Sequence, residues 1–170
     1  MLIRFRPPSL AVYSAASARL TSWSACAGLF DFSDPMPIDI VAGGRFGPGA
    51  MSERTDVVEI YDPATRRWTK AAPLPAPRGG IAGASHAGCM FVFGGEGERT
   101  HVLGLTPNTY GYDPRANRWT KLPDLPIAVH GLKGSAVIGG RIFLPGGGIT
   151  LGGNSGTNAM QLYRPTMRCE

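Results

Sequence analysis

The side chains best able to ligate a metal or to act as nucleophile and base are His86, His101 and His130 and the cysteines Cys26, Cys89 and Cys169. No pair of them stands at a ligand spacing such as HxH or CxxC, and the histidines fall one to a segment, so a complete metal site is not built from this sequence. The three cysteines read as isolated thiols, buried or incidental. Ser135 sits in Gly134-Ser-Ala rather than in a GxSxG elbow, and no two acids are placed for glycoside hydrolysis. The glycine-rich stretches Gly146–Gly148 and Gly152–Gly156 carry no following Lys-Ser/Thr, which removes a phosphate-binding loop. Three polar residues remain next to glycine-rich junctions: Arg78, Glu96 directly after Gly94–Gly95, and His130. They are the candidates for ligand contact, and the competing reading makes each a solvated loop residue or a backbone clamp. No cofactor is called for, and the expectation is a binding protein rather than an enzyme.

Those residues must be positioned by elements that repeat. The stretch Glu59-Ile-Tyr-Asp-Pro-Ala-Thr-Arg-Arg-Trp68 returns as Gly111-Tyr-Asp-Pro-Arg-Ala-Asn-Arg-Trp119, so Tyr61 and Tyr112, and Trp68 and Trp119, are 51 residues apart. Tyr163 lies 51 beyond Tyr112, and double glycines stand at Gly43–Gly44, Gly94–Gly95 and Gly146–Gly147. A period of this length marks a repeated supersecondary unit. Each unit divides into short strands. Ile38–Ala42, Met90–Phe93 and Ile142–Leu144 are apolar runs that end in glycine, which suits strands buried on both faces. A glycine-rich loop follows each. Next come strands at Thr55–Tyr61 and Thr106–Tyr112, and Asp62–Pro63 and Asp113–Pro114 open turns into a last strand that carries the tryptophan. Strand-like stretches also precede the later double glycines, at 80–86 and 131–138. The recurring Tyr and Trp are expected to fill the wedge between neighbouring twisted sheets, and a sugar stacked on Trp68 or Trp119 is the functional rival.

Composition agrees with an all-β chain. Gly 24 and Pro 15 recur at fixed positions and read as turns rather than as disorder. The formal charge of +5 invites a nucleic-acid reading. The Lys and Arg residues are scattered singly among acids, however, and form no basic run or helix face, so no nucleic-acid partner is expected. No apolar stretch is long enough to span a membrane. Residues 1–37 share nothing with the repeat: they are Ser/Ala-rich, hold no acid before Asp31, and read as a disordered or misassigned N-terminus or a presequence-like segment. Repeat identity starts abruptly near Ile38, as after a truncation or a frame shift.

The double glycines, Tyr61–Asp62–Pro63 with Trp68, and Tyr112–Asp113–Pro114 with Trp119 together resemble the kelch-repeat family of β-propellers, over roughly 38–164. The third copy departs from the pattern, with Arg164 in place of the Asp and no later Trp. The resemblance implies four-stranded blades around a channel, with loops at its mouths as binding surfaces. The expected division is a non-repeat segment 1–37, a partial blade 38–78, a blade 79–127 and a truncated blade 128–170, a partial propeller of about two and a half blades. The implied function is a binding scaffold for protein or carbohydrate, expected as a piece of a six- or seven-bladed protein. The alternative is a remnant of a kelch-type carbohydrate oxidase or sialic-acid epimerase. Exposed blade faces would let the chain self-associate.

Overall fold

The structure, a computed structural model, describes residues 38–46, 53–97, 104–132, 134–152 and 155–169. The non-repeat segment 1–37, Cys26 and His101 lie outside the described residues. The described elements are all strands: β1 (Asp39–Ala42), β2 (Arg45–Phe46), β3 (Glu53–Arg54), β4 (Val58–Asp62), β5 (Arg67–Lys70), β6 (Ala82–His86), β7 (Cys89–Phe93), β8 (Thr109–Asp113), β9 (Arg118–Leu122), β10 (Ala136–Ile138), β11 (Arg141–Pro145) and β12 (Met160–Tyr163). They form antiparallel sheets ordered β1-β4-β5, β6-β7-β8-β9 and β10-β11-β12, and a two-stranded ribbon β2-β3. The protein is a partial β-propeller, with a complete four-stranded blade between two three-stranded ones. The first sheet lacks a described inner strand and the third a described outer one, the latter as the missing Trp implies. The ribbon is a departure from sequence expectation, since residues around Arg45 and Arg54 read only as part of a glycine-rich loop.

Register shows what the repeat means physically. Tyr61 faces Trp68 across β4 and β5, and Tyr112 faces Trp119 across β8 and β9. Their rings lie 5.1 Å and 4.8 Å apart, tilted by 34° and 39°. Such a cross-strand aromatic pair stabilises a two-stranded unit locally. Tyr112 and Trp119 also belong to the apolar cluster that joins the first and second sheets, with Ile40, Ala42, Val58, Leu74, Met90 and Val92. The second and third sheets meet through Ala84, Phe91, Phe93, Ile142, Leu144 and Tyr163.

Two periodicities of burial follow from this stacking. Strand β7 is buried at every residue, because its sheet is covered on both faces, whereas β1 and β11 alternate. The double glycines permit the close approach. Gly94 and Gly95 take φ values of 60° and 103°, and a Cβ on Gly94 would stand 2.3 Å from the Val129 carbonyl oxygen. At this point the loop of one sheet touches the chain entering the next.

The reading of the cysteines as unpaired is corrected by a disulfide between Cys89 and Cys169, 80 residues apart. The tight turn at Ala87–Gly88 brings the start of β7 against the last residues, where the Cys169 N–H donates to the Ala87 carbonyl at 2.9 Å. Met167 packs over Gly111, where a Cβ would meet its sulfur at 2.4 Å. After Tyr163 the chain therefore lies against the second blade rather than returning as an outer strand.

Candidate functional site

Antiparallel strands send the two kinds of connection to opposite ends of the sheets. The tight turns after β4, β6 and β8 share one end, and the loops after the double glycines share the other. At the loop end the ladders continue past the named strands through bridges Gly79–Glu96, Glu96–Leu105 and His130–Gly148. The Glu96 backbone is thus clamped by Gly79, giving and taking a hydrogen bond at 2.8 and 2.9 Å.

Positions that correspond in successive repeats touch one another here. Arg45 and Glu96 both follow a double glycine, and they form an ion pair. Gly80 and Gly131 also correspond, and the Gly131 N–H donates to the Gly80 carbonyl at 2.7 Å. Equivalent points on sheets that fan out from an axis approach only near that axis. These contacts therefore mark the inner, loop-end rim of the propeller. Strand β6 lies beside β10 on the same inner side.

The structure brings Glu96 and His130 together, and buries all three sequence-predicted residues. Glu96 is fully buried, Arg78 is 2% exposed and His130 8%, so the reading of them as solvated loop residues is wrong. Burying a carboxylate is costly without compensation, and Arg45 supplies the opposite charge. The other oxygen, Glu96 Oε2, has no hydrogen-bond partner among the described residues and stands 3.8 Å from His130 Nδ1. His130 Nε2 lies 2.9 Å from the Thr150 carbonyl, which can only accept, so Nε2 carries the proton. In the neutral ring Nδ1 is then an acceptor facing a second acceptor, and a donor group between them would satisfy both. Glycines let these side chains pack closely: a Cβ on Gly148 would sit 2.4 Å from His130 Nε2, and one on Gly79 would meet the Arg45 stem.

Arg78 is held apart from this pair. Its Nη1 donates to the Gly94 carbonyl at 3.3 Å and its guanidinium lies 5.1 Å over the Tyr110 ring, so it clamps the double-glycine loop. Arg45 is the residue that sequence reasoning missed. The signal was available, because Arg45 stands one period before Glu96. Among the described residues no group of three His, Cys, Asp or Glu could hold a metal ion. Likewise, no described helix is long and apolar enough to cross a membrane.

Comparison with known proteins places this geometry. The Kelch motif family model matches residues 40–75 and 77–126, half of the chain. The Kelch-like protein terF of Aspergillus terreus is 34% identical over 129 residues, which are 75% of this chain and 27% of that protein. An F-box/kelch-repeat protein of Arabidopsis thaliana is 34% identical over 51% of this chain and 24% of its own length. Kelch-like protein 25 of Xenopus tropicalis is 29% identical over 74% and 21%. The chain spans about a quarter of the length of these relatives. A solved structure, titled Structure of YjhT, aligns with a TM-score of 0.51 and 24% identity over 66% of this chain and 35% of that one, a likeness of fold alone.

Proposed function

Because the chain belongs to the kelch-repeat family, we propose that it is a binding scaffold whose ligand contact lies at the loop-end rim around Arg45, Glu96 and His130, with Arg78 holding the loop beneath them. Kelch repeats build propeller scaffolds that usually mediate protein interactions. The observation that supports the placement is the ion pair of Arg45 with the buried Glu96, which holds a partly exposed guanidinium at the rim. A ligand offering a carboxylate or carbonyl would accept from it, and a protein side chain or backbone is the first reading. A carbohydrate hydroxyl can accept from the same group and is the second. The rim offers positioning and hydrogen bonding, and its residues require no catalytic step.

Peptide and glycan arrays probed with the full chain test this. A ligand found there should bind at least about tenfold more weakly to Arg45→Met, the loss expected for one charge-assisted hydrogen bond. It should bind unchanged to Arg66→Asn at the turn end. Binding that survives Arg45→Met and fails in Arg66→Asn would move the contact to the opposite end and overturn the proposal.

A further inference from the structure

The two wedges between neighbouring sheets are covered differently at the turn end. Between the first and second sheets, Trp119 packs with Ala71 and Ala72, and Asn117 Oδ1 accepts from the Ala72 N–H at 2.7 Å. Between the second and third sheets the cover is the segment 164–169, which follows β12 and belongs to no strand. Met167 and Leu122 both stand over the bare Cα of Gly111, and Cys169 is buried in the same cluster as Phe91, Ile142 and Tyr163.

The second blade is shaped to receive this segment. A Cβ on Gly88 would run into the Cys169 carbonyl oxygen, and one on Gly111 into the Met167 sulfur, so the blade is bare at two points where the segment passes. The Cys169 N–H donates to the Ala87 carbonyl at 2.9 Å, and the disulfide to Cys89 fastens the end. Arg164 and Thr166 are exposed, and among the described residues no strand ladder holds 164–169. A segment without ladder pairing opens locally at low cost, which leaves the covalent bond as its main tie.

We propose that residues 164–169 are a redox-locked strap. Oxidised, the strap covers the wedge between the second and third sheets; reduced by a dithiol, it lifts and opens an apolar slot at Gly111, Leu122 and Tyr163. One thiolate of the dithiol attacks the Cys169 sulfur, because Cys89 is fully buried in β7 whereas Cys169 keeps 6% exposure. The Cys89 sulfur leaves with the electron pair of the broken S–S bond. The second thiolate of the dithiol then displaces Cys169 from the mixed disulfide, so the dithiol closes as a cyclic disulfide and its two protons end on the two cysteines. Cys89 stays seated in β7 and the ladders of the second sheet are kept, so the response is confined to the strap. It lies at the turn end, away from the rim, and does not rest on the ligand contact proposed there.

Hydrogen exchange read by mass spectrometry on the full chain, before and after dithiothreitol, tests this, with alkylation confirming that two thiols are gained. Amides of 166–169 should exchange at least about tenfold faster after reduction, while those of β6–β9 keep their protection. Binding of anilinonaphthalenesulfonate should rise as the slot opens. Cys169→Ser should show the fast exchange without dithiothreitol. Met167→Ala should shift the thiol–disulfide equilibrium toward thiols by at least about threefold, because only the oxidised form holds that side chain in place. A disulfide that dithiothreitol cannot reduce in the folded chain, a strap that stays protected after reduction, or loss of protection throughout β6–β9 would each overturn the proposal.

Discussion

The first and second repeats carry the same aromatic pair, yet among the described residues only the second is seen locked to its neighbour. Asn117 Oδ1 accepts from the Tyr112 hydroxyl at 2.7 Å and from the Ala72 N–H at 2.7 Å, while Trp119 Nε1 donates to the Ala72 carbonyl. One residue of the chain leaving the first sheet is thereby held by both its backbone groups. Arg66 occupies the Asn117 position in the first repeat, with the same left-handed backbone, φ 58° against 48°. A guanidinium cannot accept a hydrogen bond, so the Asn lock cannot form there. The Tyr-Trp pair thus organises a sheet, and in the second repeat the residue two before the Trp helps that sheet grip the preceding one.

The sharpest way to break this comparison is to truncate the two tryptophans. Trp119→Ala should cost about 3–5 kcal/mol, since it removes core packing and a bond between sheets. Trp68→Ala should cost about 1–2 kcal/mol, because it removes cross-strand packing and no observed bond. Denaturant unfolding followed by circular dichroism measures both, and equal losses would mean that the two repeats are gripped alike.

A smaller effect separates the turn residues. Asn117→Ala should cost about 1–3 kcal/mol, because the Ala72 N–H and the Tyr112 hydroxyl both lose their acceptor. Arg66→Asn should stay within about 0.5 kcal/mol. The same unfolding experiment reads this pair.

The smallest effect is in alkali. Burial pushes the Tyr112 hydroxyl above its ordinary value, with Asp113 adding to the shift, and burial alone does the same for Tyr163. A folded-state pKa above the unfolded value of 10.0 means that the neutral phenols contribute stability fully present below that pH and lost as pH rises through the raised values. Thermal midpoints should fall more steeply above pH 10.0 than those of Tyr112→Phe with Tyr163→Phe, and identical alkaline slopes would remove the claim.

Much of this fold is legible in the residues. Tyr61, Trp68, Tyr112, Trp119 and the double glycines fix the strand pairing, because cross-strand aromatics and left-handed turns have few other solutions. Arg78, Glu96 and His130 were found by their place beside glycines. Their burial was not legible, since it depends on Arg45 arriving from another sheet, and a local sequence window does not show which loop crosses an axis. The Cys89–Cys169 bond was hidden for the same reason. Its partners are 80 residues apart and meet only because the last residues turn toward the second blade.

The central claim is that successive repeats fan out from an axis, so that equivalent loop positions converge. A double-mutant cycle on Arg45→Met and Glu96→Gln, read by chemical denaturation, tests it most directly. Coupling of about 0.5–3 kcal/mol between residues one full period apart is the predicted result, and additivity to within about 0.3 kcal/mol would contradict it.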